Sequence, residues 1–138
     1  MPPVYTLPYK ISLVNGFEVG TMLRIRGVVP KDAIWFYINL QCSDDPDSDI
    51  VLQVYPRLDE SSVVINTRKC GEWGLSELGF GPAFQPGERF DMLIIAQKDA
   101  FQVVIGDEEY HHYRYRISPE RALVEVGEDV QLEFVKIF

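Results

Sequence analysis

The 138 residues are 46% hydrophobic and 25% charged, the balance of a soluble globular chain rather than a disordered or fibrous one. Thirteen basic against 21 acidic residues leave a net charge of −8. Such a field repels phosphate backbones and anionic lipid, which argues against nucleic acid and membrane insertion. The length suits one domain over residues 1–138, able to bury roughly two thirds of its unfolded surface without a disulfide or structural metal.

From the N-terminus, Met1 to Lys10 lack the charged-then-apolar layout of a signal peptide, so a cytoplasmic chain is expected. Asn15-Gly16 reads as a turn. Period-two alternation then takes over. In Met22 to Val28, Leu23 and Ile25 point one way and Arg24 and Arg26 the other, and Phe36, Ile38 and Leu40 share one face of the next strand. Further strands are predicted at Ile50 to Tyr55, Val63 to Arg68, Phe90 to Gln97, Phe101 to Ile105, Tyr110 to Arg116 and Val130 to Ile137. Turn signals separate them at Val29 to Asp32, Asp44 to Asp49, Leu58 to Ser62, Gln85 to Gly87 and Gly127 to Asp129. Ser118-Pro119-Glu120-Arg121 has the cap and proline of a single helical turn. Many short strands at this spacing predict an all-β sandwich or barrel. A terminal strand over Leu132 to Phe138 at a sheet edge would offer a pairing surface for a second copy.

Three familiar site patterns fail. Asp45, Asp47 and Asp49 match positions 1, 3 and 5 of an EF-hand loop, but Ile50 stands where glycine is required and Pro56 where glutamate is, which leaves a solvated acidic loop. The only histidines, His111 and His112, are adjacent on a strand and point to opposite faces, so they do not chelate together. Cys42 and Cys70 have no histidine near them in sequence and read as free thiols. Paired carboxylates such as Asp59-Glu60 and Glu108-Glu109 read as surface charge. No enzyme, cofactor or metal is expected.

The informative stretch runs from Ile50 to Gly87. Ile50, Leu52 and Val54 face the core, so Gln53, Tyr55 and Arg57 share the outer face. Asn66 lies on a face with Val64 and Arg68, and Trp73 stands between the glycines of Gly71-Glu72-Trp73-Gly74. An exposed indole beside polar side chains suits a sugar, whose C–H patch lies on an aromatic face while its hydroxyls take directional hydrogen bonds. A tryptophan that simply fills the core fits the same residues.

Four segments carry a resemblance: Gln53-Val54-Tyr55-Pro56-Arg57, Val63-Val64-Ile65-Asn66, Trp73-Gly74-Leu75-Ser76-Glu77-Leu78 and Ala83-Phe84-Gln85-Pro86-Gly87. Together with Gly16-Phe17-x-x-Gly20 and Gly127 to Val130, the chain resembles the galectins, S-type lectins that bind β-galactosides without calcium. The resemblance covers nearly the whole chain and implies two antiparallel sheets packed face to face with sugar on one of them. It matches Arg57, Asn66 and Trp73 to family sugar contacts. Gln53 stands where the family has His, Tyr55 where it has Asn, Ser76 where it has Glu and Leu78 where it has Arg. In the family, the His and Arg grip the axial 4-hydroxyl of galactose and the Glu holds the arginines. Gln53 keeps one donor and one acceptor, and Tyr55 either blocks the usual pose or adds a stacking face. Glu77 is no ready substitute for the lost Glu, because a one-residue shift turns it to the other face. Two functions follow: a lectin for glycans or glycoproteins with altered or weakened β-galactoside recognition, or a sugar-dead fold that binds protein partners. The resemblance also leaves export without a signal peptide open.

Overall fold

The computed structural model describes residues 5–13, 16–79, 83–119 and 123–138. Twelve strands are present among these residues: β1 (Tyr9–Ser12), β2 (Met22–Val28), β3 (Phe36–Gln41), β4 (Ile50–Arg57), β5 (Ser62–Lys69), β6 (Glu72–Trp73), β7 (Glu77–Gly79), β8 (Arg89–Ala96), β9 (Ala100–Ile105), β10 (Glu108–Arg114), β11 (Leu123–Glu128) and β12 (Gln131–Ile137). They form two antiparallel sheets. One runs β1-β11-β3-β4-β5-β6, with β7 also on β5; the other runs β10-β9-β8-β2-β12. The described residues contain no helix. Asn15 of the first predicted turn, and Glu120 and Arg121 of the predicted helical turn, lie outside them.

The alternation seen in the sequence is the pattern of burial. Leu23 and Ile25 of β2, Phe36, Ile38 and Leu40 of β3, Leu52 and Val54 of β4, and Met92 and Ile94 of β8 have no exposed surface, and they meet in one core between the sheets. Runs of consecutive buried residues break the pattern in β3, β4, β5 and β9. Val51 is as buried as Leu52, because the β4–β5 register slips between Ile50 and Gln53 and turns an extra side chain inward. Phe36, Phe84 and Phe90 pack as an aromatic trio, with centroids 5.2 to 5.6 Å apart. Thr67 of β5 bridges the layers: its hydroxyl lies 2.8 Å from the Val51 carbonyl and 2.7 Å from the Tyr113 hydroxyl on β10. That pairing satisfies polar atoms which would otherwise be costly inside the core.

Four strands went unread in the sequence: β1, β6, β7 and β11. β1 is four residues and β6 and β7 are shorter still, too few for a period to show. β11 is half apolar, with Val124 and Val126 facing the core. Its Gly127 lies under the Tyr37 ring, where a Cβ would come within 2.5 Å of the phenol oxygen. Among the described residues β12 is the last strand of its sheet, the edge position expected for Leu132 to Phe138.

On the outer face of the five-stranded sheet, Arg24 donates twice to Asp91 (3.0 and 2.7 Å) and Arg26 once (3.1 Å). The Arg24 hydrogen bonds outweigh partial burial and hold the Asp91 carboxyl below its usual value. The folded state therefore binds fewer protons here than the unfolded chain. This contribution is complete above the unfolded value of about 4 and is lost as pH falls through the folded one. Asp91→Asn should lower the melting temperature at neutral pH, where it leaves two arginines unpaired. Below pH 4 its melting temperature should decline less steeply than that of the wild type, which thermal denaturation from pH 7 to pH 2.5 would measure.

Candidate functional site

The register across four strands places the sequence-derived residues on the outer face of the seven-stranded sheet. Gln53 on β4 lies between Asn39 on β3 and Asn66 on β5. The next row outward is Tyr55, Val64 and Leu78; beyond it Arg57 pairs with Ser62. In the opposite direction Arg68 pairs with Trp73 of β6. From Ser62 to Arg68 is six steps along β5, about 20 Å of strand, so Trp73 and Arg57 mark the two ends of an elongated surface.

Trp73 is 46% exposed, which removes the alternative of an indole that fills the core. The Arg68 guanidinium carbon sits 5.8 Å from its ring centroid. Arg68 is in turn fixed by the carbonyls of Pro46 (2.6 Å) and Ser48 (2.8 Å). The acidic loop that resembles part of a calcium site thus folds onto the arginine behind the tryptophan, and Asp49 accepts from the Cys70 amide. Among the described residues no three His, Cys, Asp or Glu side chains gather where a metal could sit.

Arg57 is drawn to the β4–β5 turn, where it donates to Asp59 (3.2 and 3.0 Å) and Glu60 (3.5 Å) with its guanidinium over the Tyr55 ring. Gln53 donates to Asn39 Oδ1 at 3.0 Å, so part of its hydrogen-bonding capacity is already used within the sheet. Tyr55 packs edge-on against Trp35, at 5.3 Å between centroids, and Trp35 stacks on Tyr37. The Tyr37 hydroxyl donates to Glu125 at 2.7 Å; burial, and then that carboxylate, push its pKa up. Where the sequence suggests one bulky tyrosine, the sheet therefore carries three aromatic rings in contact. Ser76, Leu75 and Leu78 are exposed.

One further residue, Arg116, reaches this face, held by Glu77; sequence reasoning assigned neither to it. Glu77 pairs with the core-facing Ile65 and, as expected of a one-residue shift, turns away from the outer face. There it meets His111 at 2.8 Å and Arg116 at 3.1 Å. Burial raises the Glu77 pKa, but these two hydrogen bonds outweigh it and hold the carboxyl below its usual value. Arg116, just past β10 on the other sheet, then reaches Asn66 Oδ1 at 3.0 Å. With Thr67, Lys69, Gly74 and Trp73 it lines a cavity of about 380 Å³. A larger hollow of about 670 Å³ borders the five-stranded sheet, and its Arg26 and Arg89 are already paired with Asp91 and Glu133.

Residues 8–137 match the family profile described as galactoside-binding lectin. This chain belongs to the galectin family. The galectin fold is all-β with two antiparallel sheets, as observed here. The chain is 50% identical to human galectin-7 over 133 residues, covering 96% of this chain and 98% of that one. It is 34% identical to a 32 kDa beta-galactoside-binding lectin of Caenorhabditis elegans, over 96% of this chain and 47% of the nematode protein. A solved variant of human galectin-16 superposes with a TM-score of 0.91 at 26% identity, covering 98% and 97% of the two chains.

Proposed function

We propose that this galectin binds glycans along the outer face of its seven-stranded sheet, with a preference displaced from simple lactose. Trp73 is the stacking platform, Asn66 and Arg57 read hydroxyls, and Gln53 contributes what its bond to Asn39 leaves free. The observation that carries this reading is the half-exposed indole of Trp73, held against Arg68 two residues along β5 from Asn66, which pairs with Gln53. Tyr55, braced by Trp35, supplies a second aromatic face where the resemblance would place an asparagine. A glycan with an apolar ring face or a hydrophobic substituent suits it better than bare lactose. A glycan array with lactose competition tests the proposal. Bound glycans that lactose displaces poorly are the expected result, and an array silent at high protein concentration would overturn it.

One observation favours a second reading. Leu75 (87% exposed), Leu78 (50%) and Trp73 lie in and between the short β6 and β7 strands, Leu78 where the resemblance places an arginine. Apolar side chains there suit a protein partner. Capture of the same proteins after deglycosylation and in excess lactose would support this reading over the first. Among the described residues β12 carries no strand on its far side, a place where a second copy could pair, which sedimentation at several concentrations would detect as self-association.

A further inference from the structure

Asn66 is held by its neighbours in a way that decides what it can offer a ligand. Its Oδ1 accepts from the Thr67 amide at 2.8 Å and from Arg116 Nη1 at 3.0 Å, while its Nδ2 donates to the Gly74 carbonyl at 2.9 Å. The reverse orientation of the amide would set an NH₂ group against two donors and a carbonyl oxygen against a carbonyl, so only one orientation satisfies the contacts. Both lone pairs of Oδ1 are used and one N–H is spent. What remains is a single N–H, so Asn66 faces a ligand as a donor only.

Arg116 is the remote member of this arrangement, 50 residues from Asn66 in sequence. Its other nitrogen, Nη2, is fixed by Glu77 at 3.1 Å, its guanidinium lies 5.0 Å from the Tyr113 ring centroid, and Glu77 is braced by His111. The guanidinium crosses directly over Gly74. A Cβ at that position would stand 2.8 Å from Arg116 Nη1 and 3.4 Å from Asn66 Oδ1. The glycine after Trp73 is thus where the arginine passes.

We infer that Arg116, clamped by Glu77, is a positioning residue of the glycan site, which fixes the Asn66 amide so that its last N–H is presented to the bound sugar. This rests on the reading that the Asn66 face binds glycan. It also assigns a role to Glu77 that the strand register had appeared to deny it: turned to the inner side, the carboxylate acts on the outer face through an arginine supplied by the opposite sheet.

The test measures binding of an N-acetyllactosamine–albumin conjugate, whose multivalency lifts a weak site into range. Arg116→Met should weaken capture about tenfold, the loss of one charge-assisted contact. Gly74→Ala should do the same while keeping both charges. In the double variant Asn66→Ala/Arg116→Met, capture should be no weaker than in Asn66→Ala alone, because the arginine acts through the asparagine. Wild-type capture by Arg116→Met, or additive losses in the double variant, would overturn the inference; a general loss of folding would also add to Asn66→Ala and so count against it. If wild-type protein ignores the conjugate, an albumin conjugate of its strongest array glycan takes its place, and an array with no such glycan fails the glycan reading by itself. Positioning is then read from hydrogen exchange of the Asn66 side-chain amide by NMR: slow in wild type and fast in Arg116→Met supports it, and equal rates overturn it.

Discussion

Replacing Gln53, Tyr55, Ser76 and Leu78 together by His, Asn, Glu and Arg is expected to tighten lactose binding by about a thousandfold. Hydrogen bonds to charged groups are worth about 1.5–3 kcal/mol and neutral ones about 0.5–1.5, so three or four contacts recover about 4 kcal/mol. Each 1.4 kcal/mol is tenfold. The geometry allows the exchange. Gln53 lies between Asn39 and Asn66, and Tyr55 and Leu78 flank Val64 on the same face. Ser76 and Leu78 are exposed, so a Glu and an Arg placed there would carry little desolvation cost. Tyr55→Asn also removes the ring packed against Trp35, which opens the surface beside Gln53. Titration calorimetry with lactose would measure the gain. A folded quadruple variant that binds lactose no better than the wild type would overturn the proposal that these four side chains weaken lactose recognition.

Trp73→Ala is expected to weaken glycan capture by roughly 30-fold or more while leaving the melting temperature within about 4 °C of the wild type. A large aromatic that becomes covered by a ligand is the kind of residue whose truncation costs about 2 kcal/mol or more of binding. Its contribution to folding is small by comparison: nearly half the indole is exposed and its charged neighbour is Arg68, which keeps its own bonds to Pro46 and Ser48. Trp73→Phe should retain part of the capture, since a smaller ring still stacks. The two readings of the surface separate here. Loss of glycan capture with an unchanged melt supports the lectin, whereas unchanged glycan capture by Trp73→Ala rules out the indole as the platform.

Much of this was legible in the linear chain because strand side chains alternate with period two. That period is enough to place Leu23, Phe36 and Leu52 inside and Gln53, Tyr55 and Arg57 outside. It fails where the register slips, as at Val51, and where a strand is too short to show a period, as at β6 and β7. Glu77 shows both sides of the matter. Its inward direction follows from counting residues, but its partners do not, because His111 and Arg116 come from the other sheet and only packing brings them within reach.

The sequence by itself determined the fold class, the faces of the long strands and the family resemblance, since all three depend on local periodicity and short motifs. Only the tertiary structure decided that Trp73 is exposed rather than core. The same is true of Arg68 being anchored by the acidic loop behind it, of Tyr55 joining Trp35 and Tyr37, and of Arg116 crossing Gly74 to hold Asn66. Each of these is a contact between segments far apart in the chain, set by strand register and by the packing of one sheet on the other, and no local pattern encodes it.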